Sequence, residues 1–141
     1  MENKINIINK NEFNTEIEIS KDNLKEVADY YKKMGFNFLS DISSVDYKDH
    51  FIVVYQLFKY TENKSITIKV KLEDHKNPEI DSLTGLWETA DWHEREVYDL
   101  MGIRFSGHPN LKRILMWEGY KGYPLRKDFP VVNRKRNWEV E

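Results

Sequence analysis

The strongest constraint on the fold lies in the middle of the chain. Phe51 to Tyr60 is a dense run of β-formers, and Thr61-Glu62-Asn63-Lys64 then breaks it with turn residues. After the break Ile66, Ile68, Val70 and Leu72 alternate with Thr67, Lys69 and Lys71. Period-2 alternation puts the apolar set on one face of a strand and the polar set on the other. Two such runs across a short loop predict an antiparallel hairpin with one wet face. Its dry face needs a second layer to cover it.

Helices are the expected cover. Thr15 to Ile19 reads as a strand, and Ser20 follows as a candidate N-cap. Leu24, Val27, Ala28, Tyr31 and Met34 recur at spacings of three and four, one apolar helix face that Gly35 can end. This predicts a helix over about residues 20–34. Phe36 to Leu39 begins another strand candidate, and Glu73 to Ser82 reads as a loop. A second helix is expected over about 91–101, with Asp91 and Glu94 at capping-box spacing and Gly102 at its end. Its Val97, Leu100 and Met101 form the core face, while Glu94, Arg95 and Asp99 mark the wet or partner-facing side. The expectation is an α+β domain over residues 1–103, two-layered, with a mostly antiparallel sheet. The length of 141 residues suits one such domain.

From Gly102 onward the texture changes. Glycines stand at 102, 107, 119 and 122 and prolines at 109, 124 and 130, without a clear period. Charge is split as well. Residues 1–103 carry 13 Lys/Arg against 20 Asp/Glu, whereas residues 104–136 carry 9 against 2. We read residues 104–141 as an extended basic arm that docks on a partner. Basic residues next to aromatics, such as Arg113 with Trp117, would suit single-stranded nucleic acid, but equally a protein interface.

Several chemistries are excluded or unsupported. With no cysteine the chain offers no disulfide and no thiolate for zinc or an iron–sulfur cluster. His93-Glu94 starts a zinc-protease pattern, but Val97 occupies the second ligand position. Gly102 and Gly107 have phosphate-loop spacing, yet His108-Pro109 replaces the required Lys-Ser/Thr. Glu96 and Asp99, or Arg95 and Asp99, are spaced as ordinary helix surface pairs. No catalytic, cofactor-binding or metal-ligating residue is expected. No apolar run approaches the roughly 20 residues of a membrane helix, and Met1 to Lys10 lack signal-peptide features. The chain alone is therefore expected to be soluble and cytoplasmic.

One stretch carries a family resemblance. Trp92-His93-Glu94-Arg95-Glu96-Val97-Tyr98-Asp99-Leu100-Met101-Gly102-Ile103 is followed by Phe105, Gly107-His108-Pro109, Leu111, Arg113-Ile114-Leu115 and Pro124-Leu125-Arg126-Lys127-Asp128-Phe129-Pro130. Across residues 86–130 this closely resembles the C-type subunit of respiratory complex I, the NADH:quinone oxidoreductase. The resemblance implies a scaffold subunit of the peripheral arm without redox cofactors. NADH, flavin, iron–sulfur clusters and quinone would be bound by neighbouring subunits. It also implies contact with the hydrogenase-large-subunit-like D-type subunit and the B-type subunit, and a peripheral place on the cytoplasmic side of the cell membrane through the assembled complex. The implied interface residues are Trp92, Glu94, Arg95, Glu96, Tyr98, Asp99, Gly102, His108, Pro109, Arg113, Pro124, Arg126, Lys127, Asp128, Phe129 and Pro130. His93 and Asp91 depart from the residues usual in that family. An equivalent scaffold in a membrane-bound NiFe hydrogenase or another complex-I-like enzyme is the alternative. Concentrated opposite charge further suggests that Glu94 or Glu96 pairs with Arg113 or Arg126.

Overall fold

A computed structural model of the chain describes residues 4–113 and 122–126. Its elements run β1 (Asn6–Lys10), β2 (Asn14–Ile19), α1 (Leu24–Lys33), β3 (Phe38–Asp46), β4 (Phe51–Lys59), β5 (Lys64–Leu72), β6 (Glu79–Asp81), α2 (Ala90–Met101) and β7 (Arg104–Ser106). Five strands form one sheet in the order β1-β2-β5-β4-β3.

The hairpin expected from the alternating runs is β4–β5, antiparallel from Phe51↔Leu72 to Lys59↔Lys64. A single 3-10 turn, Tyr60–Glu62, and Asn63 in the left-handed region reverse the chain. β3 adds on the other side of β4 with a register shift between Leu39 and Asp41. β2 pairs with β5 in parallel, so α1, β3 and β4 all lie within one crossover. The sheet is thus mostly antiparallel, with one parallel seam at its centre.

Register explains the core. Ile17, Ile68, Tyr55 and Ile42 stand in one row across four strands, and Ile19, Val70 and Val53 in the next. All are buried. The opposite face carries Glu16, Glu18, Lys69 and Lys71, with a Thr67–Gln56 hydrogen bond of 2.9 Å across strands. α1 covers the dry face with Leu24, Val27, Ala28 and Tyr31, and α2 adds Ala90, Val97 and Met101. Burying a Leu or Ile side chain contributes roughly 1.5–3 kcal/mol, so these rows are the main source of stability.

Four local expectations need correction. The first helix is shorter than 20–34: a 3-10 turn over Lys21–Asn23 precedes α1, and Ser20 makes no side-chain cap. Glu73 to Ser82 is not all loop, because β6 pairs in parallel with β7. β7 itself lies beyond residue 103, and its Phe105 is buried with the body. Finally, Asp91 and Glu94 form no capping box. Thr89 is the N-cap residue of α2, but its hydroxyl donates to the Leu39 carbonyl at 2.9 Å rather than capping the helix, and Glu94 points inward instead. Lys127, Asp128, Phe129 and Pro130 lie outside the described residues.

Candidate functional site

α2 and the segments that follow it bring the singled-out residues together. The helix ends at Gly102, whose φ of +78° is the left-handed conformation glycine tolerates. Its N–H donates to the Tyr98 carbonyl at 2.9 Å, closing the last turn. A Cβ here would stand 2.7 Å from Cδ2 of Tyr123, so the Tyr123 ring covers the glycine. That ring also meets Tyr98, with centroids 6.1 Å apart. Burial, helped by the field of Tyr98, raises the Tyr123 hydroxyl above its ordinary pKa.

Two carboxylates of α2 are wholly buried. Asp99 pairs with Arg113, whose Nε donates to Oδ1. Arg113 Nη2 donates to the Asp99 carbonyl at 2.7 Å and to the Gly122 carbonyl at 2.9 Å. The same guanidinium lies 5.0 Å from the centre of the Tyr123 ring. One arginine thus ties the helix to both described parts of the arm. Glu94 makes a different set of bonds. Its carboxylate accepts from the Ser82 hydroxyl at 2.6 Å and the Leu83 N–H at 2.7 Å. Burial raises its pKa to about 7, against the lowering effect of those two donors.

The expected pairing of Glu94 or Glu96 with Arg113 or Arg126 is therefore incorrect. Asp99 takes Arg113, and Glu94 faces the linker before α2. Arg126 donates to the His75 carbonyl and lies 5.2 Å from the centre of the Phe51 ring. His75 stacks on that ring at 4.5 Å and bonds the buried Asp46 at 2.7 Å through Nε2. Sequence reasoning misses this second anchor, since nothing local in His75 or Asp46 signals a contact with residue 126. It also misplaces Glu94 and Asp99 on the wet side, because their partners are distant in sequence.

The remaining residues spread around α2. Trp92 is 53% exposed, Leu125 is 52% exposed, and Pro109 is exposed. Glu96, Tyr98 and Pro124 are half-buried. Arg95 donates to the Lys112 carbonyl at 3.2 Å. His108 accepts from the Asn110 N–H at Nδ1, 2.9 Å, which leaves Nε2 protonated and facing the Asp91 carbonyl at 3.2 Å. His93 stands 3.7 Å from Asp41 of β3. Asp91 and His93 thus both face neighbours within the chain. Among the described residues no group of three or more His, Asp or Glu could hold a metal ion. What the arrangement can do is present a rigid helix flank, with an exposed tryptophan and a strapped-down arm, to another protein.

Comparison with known proteins gives a consistent pattern. The family described as respiratory-chain NADH dehydrogenase, 30 kDa subunit, matches residues 17–135. A Rhizobium etli protein, named as the second C-type subunit of NADH-quinone oxidoreductase, is 52% identical over 105 residues, 72% of this chain and 55% of that protein. The chain thus spans little more than half the length of that relative. An Aquifex aeolicus protein, named as a C/D-type subunit of the same enzyme, is 42% identical over 118 residues, 81% of this chain and 20% of that one. Among solved structures, a trypsin-resistant fragment of Nqo5 superposes with a TM-score of 0.68 at 34% identity, covering 78% of this chain and 92% of the fragment.

Proposed function

The chain belongs to the family of the 30 kDa subunit of respiratory-chain NADH dehydrogenase, and from that membership we propose that it is a scaffold subunit of a NADH:quinone oxidoreductase. It carries no redox centre and no active site of its own. It sits in the peripheral arm, on the cytoplasmic side of the membrane, and holds the D-type subunit next to the B-type subunit. NADH, flavin, iron–sulfur clusters and quinone belong to those neighbours and others, through which electron transfer is coupled to ion translocation.

The observation that carries the reading is the relative with the C/D-type name, in which a segment like this chain shares one polypeptide with more than its own subunit. Fusion is compatible with function only where the parts work side by side, so a D-type subunit is the first partner to expect. The site supports it: Asp99–Arg113 and His75–Arg126 seat residues 122–126 against the body, beside the exposed Trp92 flank of α2. The lack of cysteine removes the thiolates that would bind a cluster here. The motif residues Trp92, Arg95, Glu96, His108, Pro109 and Pro124, with Lys127 to Pro130, are assigned to that interface.

A tagged copy expressed in its own cell and purified from gently solubilised membranes tests this. Recovery with D- and B-type subunits and with NADH–quinone reductase activity is the expected result. Recovery with hydrogenase subunits, or alone, would reject the assignment. Release from the membranes by salt and RNA together would favour a nucleic-acid role instead.

A further inference from the structure

Glu94 lies under α2, wholly buried, with no hydrogen bond or ion pair to a cation among the described residues. Both of its oxygens are bonded. Oε2 accepts from the Leu83 N–H, and Oε1 faces the Ser82 hydroxyl at 2.6 Å. Ser82 does not end the chain of bonds. Its oxygen stands 3.0 Å from the Thr84 hydroxyl and also accepts from the Thr84 N–H at 3.2 Å. Thr84 is half-buried and lines an open cleft of about 470 Å³ together with Lys25, Asp29, Ser106 and Gly107, and the nearly buried Ser82 stands in the wall of the same cleft behind it. A continuous row of oxygens therefore runs Glu94–Ser82–Thr84 from the core to solvent.

The row is complete in two protonation states. With Glu94 ionised, Ser82 donates to Oε1 and accepts from both the hydroxyl and the N–H of Thr84. With Glu94 protonated, Oε1–H donates to Ser82, and Ser82 turns its own hydrogen to the Thr84 oxygen. Ser82 then still makes one donation and two acceptances, the full capacity of a hydroxyl. Leu83 N–H stays bonded to Oε2 throughout. No backbone atom has to move between the states.

We propose that Glu94 is a buried proton-binding site, loaded from the cleft through the hydroxyls of Thr84 and Ser82. A proton arriving on the Thr84 oxygen displaces that hydroxyl's hydrogen to Ser82, whose own hydrogen passes to Glu94 Oε1. One proton enters at the cleft and one carboxylate becomes a carboxylic acid. The groups that face the site are few. Asp91 precedes Glu94 on α2, Tyr55 approaches from β4, and Asp81 of β6 acts on Tyr55. The field of Asp91 favours the protonated acid, and Lys25 and Asp29 of α1 face the cleft at the outer end of the row. Burial acts in the same direction and brings the titration to about neutral pH. The Tyr55 hydroxyl, wholly buried and without a hydrogen-bond partner among the described residues, is pushed well above its ordinary pKa and stays neutral.

Infrared spectroscopy of the full 141-residue chain tests the proposal. A carboxylic-acid carbonyl band should disappear as pH rises through neutrality, and Glu94→Gln should lack it. Two hydroxyl variants should shift the midpoint in opposite directions. Ser82→Ala removes the donor that stabilises the carboxylate and should raise it by about one pH unit. Thr84→Val removes the oxygen that accepts from Ser82 only when Glu94 is protonated, and should lower it by a similar amount. The proposal is overturned if no band near neutrality depends on Glu94. It is equally overturned if the two variants shift the midpoint in the same direction or leave it in place.

Discussion

Replacing Gly102 with alanine probes the joint between α2 and the arm. At φ +78° an alanine costs about 1–2 kcal/mol in backbone strain. Its Cβ would also stand 2.7 Å from Cδ2 and 2.8 Å from Cε2 of Tyr123. The ring is held by Tyr98 and by the Arg113 guanidinium 5.0 Å from its centre, so it must leave that stack. Losing a cation–ring contact adds roughly 0.5–2 kcal/mol. The sum is about 1.5–4 kcal/mol, read as a lowered urea midpoint at unchanged slope. A second variant separates the two parts. In a Tyr123→Ala background the collision is gone, and Gly102→Ala should cost only the backbone part. The pair should therefore show a coupling of about 1 kcal/mol or more. Amide exchange at Leu125, whose N–H donates to the Leu100 carbonyl at 3.1 Å, should quicken in the single glycine variant. Additivity within about 0.5 kcal/mol would refute the reasoning, because independent sites add to that accuracy.

Three further outcomes are expected. Asp99→Asn removes the buried carboxylate to which Arg113 donates and should destabilise the chain by about 3 kcal/mol in denaturant titration, with weaker recovery of the D-type subunit in pull-downs. Ile68→Ala, in the centre of the four-strand row, should cost about 2–5 kcal/mol by the same measurement. Glu94 links stability to pH with a definite sign: its pKa rises from 4.5 to about 7 on folding, so its contribution is full below 4.5 and lost as pH rises through 7. The loss should approach about 3 kcal/mol, and melting curves of Glu94→Gln against the parent chain should diverge across that window and nowhere else.

What is legible in the sequence is local. The β4–β5 hairpin follows from a dense β-former run and an alternating strand on either side of a four-residue break, and α1 from a 3.6-residue stripe ended by Gly35. α2 is found for the same reasons, with Gly102 as its stop. β1 escapes because Asn6 to Lys10 has no apolar period, and its five residues are all exposed. The parallel seam between β2 and β5 escapes because pairing across a crossover leaves no local trace. Glu94 and Asp99 fall on the wet side under the rule that charges face water. That rule fails where Ser82, Leu83 and Arg113 supply buried partners, and only the tertiary fold brings those groups to α2. The family motif begins on α2, while the charge pairing of that helix cannot be read from spacing.

The parallel seam has a consequence for how the chain is made. Ser65 donates to the Phe13 carbonyl across 52 residues of sequence, and this contact sits where β2 meets β5. β1, β2 and α1 leave the ribosome first, yet their sheet has no centre until β5 has been synthesised. At roughly 5–20 residues per second, the first strands wait several seconds with Ile17, Ile19 and the α1 stripe uncovered. The hairpin β4–β5 closes by local contacts and presents the β5 edge with which the older β2 pairs. A substitution that slows the hairpin is therefore expected to prolong the exposure of residues translated long before it.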